Sequence, residues 1–166
     1  MLRLLPIFAV LIVTRALVLG APTELNSLKA KFEETKADRS EYLDRLVELR
    51  ERYVADLRNA DAFAVDAEVV KYPLPPNVDG KALSALRVGK RRSPRHDYLY
   101  RSDGTWTMIP IVNGITQGHW SIVENHYFDW VPAASSWKPV YTIILLDSKY
   151  FVFAAGKDVF YEKRIN

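Results

Sequence analysis

The ionisable side chains of the C-terminal half are the first candidates for chemistry. His96, His119 and His126 are the only histidines of the chain. They form neither a His-x-His pair nor an i,i+4 pair on a helix, so their spacing predicts no metal site. The serines of this half lack the strand–turn–helix context of a nucleophilic serine. Because the chain contains no cysteine, disulfides, thiolate metal sites and cysteine nucleophiles are excluded.

A pair of carboxylates is the second kind of chemistry to consider, because glycosidases use two of them about 5–9 Å apart. The candidates in this half are Asp97, Asp103, Glu124, Asp129, Asp147, Asp158 and Glu162. Most of them lie in or beside predicted turns, where aspartate is expected for structural reasons. The seven glycines do not cluster into a phosphate-binding loop. These observations predict a protein without a cofactor and without enzymatic activity.

Aromatic side chains are concentrated in the same half, which contains all four tryptophans. The aromatic residues that we expect either to contact a ligand or to fill a core are Trp106, Trp120, Trp130, Trp137, Tyr141 and Phe153. Stacking on nucleic acid is not expected, because no basic groove accompanies these rings.

The elements that position these residues are predicted to be short antiparallel strands. The runs are 97–101, 105–112, 119–123, 127–131, 140–146, 150–154 and 159–164, within a β domain over 96–166. The intervals between them are typical of hairpins and too short for parallel crossovers. We therefore predict an α+β fold with an antiparallel β meander, closed into a barrel or half-barrel because closure removes the sheet edges. Pro132–Pro139 is the longest interval and the predicted lid or rim.

Three short motifs of this half resemble those of bacterial lipocalin-like domains. They are Asp103-Gly104-Thr105-Trp106, Gly118-His119-Trp120 and Phe160-Tyr161-Glu162-Lys163-Arg164-Ile165. The resemblance implies a small barrel with a Gly-x-Trp tryptophan at its closed end, covered by an arginine. It therefore implies that Trp106 or Trp120 packs beneath Arg164. Lipocalin barrels have eight strands with this motif on the first, so a barrel filled by its own side chains is the alternative.

Residues 21–61 are predicted to form one long charged helix. Apolar residues recur at steps of three and four from Leu25 to Tyr53, which is close to a heptad pattern. Acidic and basic residues alternate on the remaining positions and present no single-sign face. The pattern favours self-association through residues 23–61. A helix folded back on its own domain, or a hairpin of two shorter helices, is the alternative.

Residues 62–95 are predicted to be a connector that contains prolines and ends in a basic run. The basic residues of this run are Lys90, Arg91, Arg92 and Arg95. We interpret the run as a solvated surface patch before the β domain. A contact for an anionic envelope polymer or for lipid headgroups, and a dibasic processing site, are the alternatives.

Residues 1–20 have the order of a secretory signal peptide: a positive start, an apolar stretch and small residues before a cleavage point near Gly20/Ala21. The apolar stretch is shorter than the ~20 residues that span a bilayer. No lipid anchor is expected, because the residue after Ala21 is proline. The 23 Lys and Arg against 20 Asp and Glu include Arg3 and Arg15 of this segment, so the remainder is nearly neutral and no nucleic-acid partner is expected.

The leading functional hypothesis is a non-enzymatic exported protein, periplasmic or extracellular. In it, a helical oligomerisation stalk carries a lipocalin-like β domain that binds a small apolar ligand or an envelope component. The second hypothesis is a structural envelope adaptor with a solid β domain and no ligand. The third is an enzyme that acts on cell wall or on a secreted substrate.

Overall fold

The computed structural model of the protein describes residues 22–35, 38–112, 115–132 and 139–166. The predicted signal peptide and its cleavage point lie outside the described residues. Within these ranges the helices are α1 (Thr23–Thr35), α2 (Arg39–Ala55), α3 (Asn59–Val69) and α4 (Gly80–Arg87). The strands are β1 (Gly89–Arg92), β2 (Asp97–Tyr100), β3 (Thr105–Val112), β4 (Ile115–Val123), β5 (His126–Trp130), β6 (Val140–Leu146), β7 (Tyr150–Ala155) and β8 (Asp158–Arg164). None of these helices combines the length and apolarity of a membrane span.

The strands form a closed barrel in which each pairs antiparallel with the next in sequence and β8 pairs with β1. This confirms the predicted antiparallel meander in an α+β fold, closed as a full barrel. The prediction missed β1, whose residues Gly89-Lys90-Arg91-Arg92 carry three charges and no apolar side chain. Strand β1 belongs to the barrel because it pairs with β8, with Arg91 opposite Arg164 and Arg92 opposite Lys163.

Large side chains fill the interior of the barrel from one end and stop short of the other. Its buried members are Tyr100, Trp106, Met108, Trp120, Ile122, Tyr127, Ile143, Leu146, Phe151 and Phe153. Helix α4 covers the end that carries the β4–β5 turn, with Leu83 and Val88 packed against this core. A β-carbon on Gly80 would lie 3.2 Å from the Glu124 nitrogen, so the helix begins in close contact with that turn. The opposite end carries the β1–β2 and β7–β8 turns.

The single helix predicted over residues 21–61 is wrong, because α1, α2 and the start of α3 all lie within this range. The Asp38 carboxylate accepts hydrogen bonds from the backbone of Ser40 and Glu41, which starts α2 as a new helix. Helix α2 ends where Leu57 adopts a φ of 59° and Arg58 N donates to the Tyr53 carbonyl, as in a Schellman motif. Neither signal involves a glycine or proline, which explains why the sequence pattern concealed the breaks.

The apolar stripe of these helices is buried against the outer face of the barrel. Leu43 and Leu46 of α2 are fully buried, in one cluster with Ile144, Leu145 and Val152 of β6 and β7. The stripe that predicted a coiled-coil stalk is therefore covered by the chain itself. This arrangement corresponds to the alternative of helices folded back on their own domain.

Polar contacts join the helices to the barrel at both ends of α2. Arg39 donates to the carbonyls of Tyr72 and Ile144, the latter at 2.7 Å. Arg50 donates to Asp66 at 2.6 Å, and the same carboxylate accepts from the Tyr161 hydroxyl at 2.7 Å. These contacts hold α2, α3 and β8 in a defined relation beside the open end of the barrel.

Candidate functional site

The open end of the barrel leads into a cavity of about 520 Å³. Side chains that alternate inward along β2, β6, β7 and β8 form its aromatic wall. These wall residues are Tyr98, Tyr141, Phe153 and Phe160. The carboxylates of Asp129 and Glu162 lie among them, and Arg95 and His96 of the β1–β2 turn border the entrance.

Adjacent rings support one another along one side of this wall. Phe153 stacks on Phe160 with centroids 5.2 Å apart, and Tyr141 meets both rings edge-on at 5.1 and 5.6 Å. Phe160 is 41% exposed, although its strand partners place it on the inner face. An exposed apolar ring at the mouth of a cavity is a surface that a ligand can cover.

The floor of the cavity contains a buried ion pair between Arg87 and Glu162. Arg87 is fully buried, and its two terminal nitrogens donate to the Glu162 oxygens at 2.5 and 3.2 Å. The Tyr100 hydroxyl donates to the same carboxylate at 3.0 Å. Burial is the largest single influence on Arg87 and would lower its pKa, but the charge of Glu162, the nearby Tyr100 and Tyr127 and the hydrogen bond to Glu162 together outweigh burial and raise the pKa. The guanidinium therefore stays charged, and Glu162 is held by three donors.

The Arg87 guanidinium is also enclosed by aromatic faces. Its central carbon lies 3.4 Å from the centroid of Tyr100 and 3.9 Å from that of Phe151. Such stacking suits a planar guanidinium, which is weakly hydrated and pairs with carboxylates in a fork. The two charges of this pair cancel, and the guanidinium is held by both the carboxylate and the rings.

Asp129 is the second carboxylate of the cavity and has different partners. It accepts from the Trp106 indole nitrogen at 2.6 Å and from the Tyr127 hydroxyl at 3.2 Å. Burial raises the pKa of Asp129 to about 6, against the opposing effect of the hydrogen bond from Trp106. Within the described residues it forms no ion pair.

The tyrosines around the carboxylates remain neutral hydrogen-bond donors. Burial raises the pKa of Tyr98 to about 12, and burial likewise raises the pKa of Tyr100 and of Tyr127. The Tyr127 hydroxyl accepts from Arg87 at 3.2 Å and donates to Asp129. It thus connects the ion pair on the floor with the second carboxylate.

The structure separates the aromatic residues selected from the sequence. Tyr141 and Phe153 line the cavity, and Trp106 lies beneath Asp129. Trp120 is buried in the same core, with its indole nitrogen bonded to the Thr105 carbonyl at 3.0 Å. Trp130 stacks on His119 outside the cavity lining, with centroids 5.4 Å apart. Trp137, and most of the predicted lid Pro132–Pro139, lie outside the described residues.

Arg164 points inward, as alternation with Glu162 predicts, and lies at the closed end beside α4, where it contacts backbone carbonyls rather than an indole. Its guanidinium donates to the carbonyls of Leu86 and Val88 at 2.9 and 2.7 Å. These acceptors are at the C-terminal end of the helix, where carbonyls lack intrahelical partners. Within the barrel, Arg87 lies over aromatic rings, and these rings belong to tyrosine and phenylalanine.

The prediction of a basic surface patch is wrong for Arg91. Strand alternation in β1 exposes Lys90 and Arg92 and turns Arg91 inward, where it is fully buried. Arg91 donates to the Leu86 carbonyl at 2.7 Å, which adds a second arginine to the end of α4. Arg92 pairs with Asp97 at 2.8 Å, and Arg95 is exposed at the cavity entrance.

Sequence reasoning included Asp129 and Glu162 among several carboxylates but did not select them. The available signal was position, because Asp129 stands between Phe128 and Trp130 in the middle of a predicted strand rather than in a turn. Arg87 was missed entirely. It is the last residue of α4, a short helix whose packing across the barrel end no local pattern reveals.

The chain has no match among known protein families, characterised proteins or solved structures. The function is therefore inferred from the geometry of the cavity.

Proposed function

We propose that the protein binds a small organic molecule with an apolar, ring-sized body in the open end of the barrel. The observation that carries this proposal is the cavity of about 520 Å³ at the open end of the closed barrel, which has aromatic walls with polar groups among them. Concave, largely apolar sites of this size with a few fixed polar groups are typical of small-molecule binding. The resemblance to lipocalin-like domains and the predicted export signal favour a carrier or sensor outside the cytoplasm.

Contacts within the protein hold the floor and one wall of the cavity in place, so the site is preformed. The network of Arg87, Glu162 and Tyr127 fixes the floor, and the stacked rings of Phe153 and Phe160 support one wall. A rigid, preformed site loses little conformational entropy on binding. The cavity argues against an adaptor with a solid barrel, because the side chains that fill the barrel stop short of its open end.

Binding is favoured over catalysis by the partners of the two carboxylates. An acid–base mechanism needs one group that donates a proton and another that accepts one. Both oxygens of Glu162 already accept hydrogen bonds from Arg87, and one of them also accepts from Tyr100. Asp129 alone could exchange a proton, which supports ligand recognition better than a two-carboxylate reaction.

The test is a fluorescence titration of the protein with N-phenyl-1-naphthylamine, a neutral aromatic probe whose emission rises in apolar surroundings. We expect saturable one-to-one binding to the wild-type protein. Tyr141→Ala removes a ring of the cavity wall and should weaken binding by about tenfold, the equivalent of ~1.4 kcal/mol.

The matched control is Phe128→Ala, which removes a half-buried ring from the neighbouring strand outside the cavity lining. It should change the affinity by less than about twofold. No saturable binding to the wild type, or equal losses in both variants, would contradict the proposal. Conversion of a bound compound to a product, detected by mass spectrometry, would instead support an enzyme.

A further inference from the structure

Asp129 is half-buried and differs in its partners from the buried carboxylates in the described part of the chain. Asp66 pairs with Arg50 at 2.6 Å, Glu68 with Lys71 at 2.8 Å, and Glu162 with Arg87. Asp129 receives hydrogen bonds only from Trp106 and Tyr127, which are neutral donors. A buried carboxylate without a cationic partner is costly unless a positive charge reaches it. Of these four carboxylates, Asp129 is the one that lines the cavity without forming an ion pair.

Aromatic side chains surround the space in front of this carboxylate. Tyr98 on one side meets Trp106 edge-on at 5.7 Å, and Tyr141 and Phe153 form the facing wall with centroids 5.1 Å apart. Aromatic faces around a desolvated position attract organic cations, because the ring quadrupole is negative above the ring plane. A carboxylate and several ring faces around one cavity therefore supply both contributions to the recognition of an ammonium group.

We propose that the cavity selects an organic cation whose ammonium group lies against Asp129 and whose apolar body packs between Tyr98 and the wall formed by Tyr141 and Phe153. This inference rests on the proposed ligand-binding function and adds the chemical class of the ligand. The ligand supplies to Asp129 the kind of cationic partner that Asp66, Glu68 and Glu162 have within the protein.

The other charges near the cavity leave this assignment in place. Arg87 is neutralised by Glu162 on the floor. Arg50, at the edge of the cavity, is neutralised by Asp66. Arg95 is exposed at the entrance, where water and salt screen its charge within about 8 Å at physiological ionic strength. Arg91 is also buried without a carboxylate partner, but it lies at the end of α4, whereas Asp129 is the carboxylate of the cavity lining that lacks a paired cation.

The experiment compares two probes of the same shape, phenyltrimethylammonium and tert-butylbenzene, by their quenching or shift of tryptophan emission. Trp106 lies in contact with Asp129, so it reports on the site directly. We expect the cation to bind at least about tenfold more tightly than its neutral isostere, which corresponds to one unit in log Kd. Equal affinities would overturn the cation assignment while leaving the ligand-binding function intact. Failure of both probes and of N-phenyl-1-naphthylamine would overturn the function itself.

Asp129→Asn keeps the shape of the side chain and removes its charge. It should abolish the preference for the cation and leave the affinity for tert-butylbenzene within about twofold. The matched control is Asp97→Asn on β2, whose carboxylate pairs with Arg92 away from the cavity. That control should keep the wild-type preference. A preference that survives in Asp129→Asn would overturn the role of this carboxylate.

The pH dependence of the wild type gives a second, independent readout, because phenyltrimethylammonium does not titrate. A carboxyl group with a pKa of about 6 is only about one-tenth ionised at pH 5, so the affinity for the cation should fall by about tenfold between pH 7.5 and pH 5. The titratable or charged groups that face Asp129 or border its cavity are Arg87, Glu162, Tyr98, Tyr100, Tyr127, Tyr141, Arg50, Arg95 and His96. A pH response that persists in Asp129→Asn would belong to another group and would contradict the proposal.

Discussion

Gly118 faces Trp106 across the β3–β4 ladder, and the indole occupies the space where a side chain of residue 118 would stand. A β-carbon built on Gly118 would lie 2.5 Å from the Trp106 Cε2 atom and 2.7 Å from the Trp130 carbonyl oxygen. Gly118, the glycine of the second Gly-x-Trp motif, therefore leaves the space that Trp106, the tryptophan of the first motif, occupies. This contact places the Trp106 nitrogen against Asp129 at the base of the cavity.

Gly118→Ala should destabilise the protein by about 2–3 kcal/mol, because overpacking forces the indole or the strand to move. The measurement is chemical unfolding followed by tryptophan fluorescence. The comparison variant is Gly156→Ala, where no atom lies within 4 Å of an added β-carbon but φ is +62°. That change carries only backbone strain, about 1–2 kcal/mol. A smaller loss for Gly118→Ala than for Gly156→Ala would contradict the packing described here.

Arg87→Met should destabilise the protein by about 3–5 kcal/mol, because it leaves Glu162 buried without its cation. The double variant Arg87→Met/Glu162→Gln should recover most of this loss, since no uncompensated charge remains. Thermal unfolding of both variants measures the difference. Arg92→Met removes an exposed arginine paired with Asp97 and should change stability by at most about 1 kcal/mol. A double variant no more stable than the single one would show that the ion pair is not the source of the loss.

Arg164→Ala should cost about 1–2 kcal/mol, because the carbonyls of Leu86 and Val88 lose a charged donor at the end of α4. The tryptophan emission maximum should stay unchanged, since the guanidinium binds backbone carbonyls rather than an indole. Equilibrium unfolding and emission spectra measure the two effects. A red shift of the emission would instead support the arrangement implied by the lipocalin resemblance, with Arg164 over Trp106 or Trp120.

Asp44→Asn should stabilise the protein above pH 6. Asp44 of α2 is partly buried beside Asp147, and burial followed by the neighbouring carboxylate raises its pKa to about 6 from an ordinary value of 3.8. Between these values the folded protein binds more protons than the unfolded chain, so the free energy of unfolding falls as pH rises. The substitution should therefore gain about 1 kcal/mol at pH 7.5 and nothing at pH 4.

The control for this prediction is Glu41→Gln, which neutralises an exposed carboxylate of the same helix. The difference in unfolding free energy between this variant and the wild type should be small at pH 4 and at pH 7.5, because an exposed surface change has little effect on stability. An equal gain at pH 4 and at pH 7.5 for Asp44→Asn would show that the carboxylate is not destabilised by its surroundings.

The antiparallel barrel followed from local patterns, because period-two alternation and short turns both depend on neighbours in the chain. Strands such as 150–154 and 159–164 lie within β7 and β8 of the structure. The short intervals indicated hairpins. Closure was expected because a barrel leaves no strand edge without a partner. The heptad-like stripe of residues 23–61 marked the correct buried face, since Leu46 and Tyr53 are almost completely buried.

What covers that stripe was decided only by tertiary structure. A row of apolar side chains specifies that a face must be buried and leaves open whether a second chain or the outer face of β6 and β7 buries it. The break after Ala55 depends on a Schellman turn at Leu57, a residue that rarely adopts a positive φ, so no residue type announced it.

The site, too, depended on the fold more than on any motif. The acidic residues were visible in the sequence, but the difference between Glu162 and Asp129 lies in their partners. Arg87 reaches Glu162 from 75 positions away along the chain and Asp129 receives only neutral donors. Composition and periodicity determine which side chains face inward; which of them acquires an opposite charge is set by long-range packing, since electrostatic energies depend on distance and burial rather than on order in the chain.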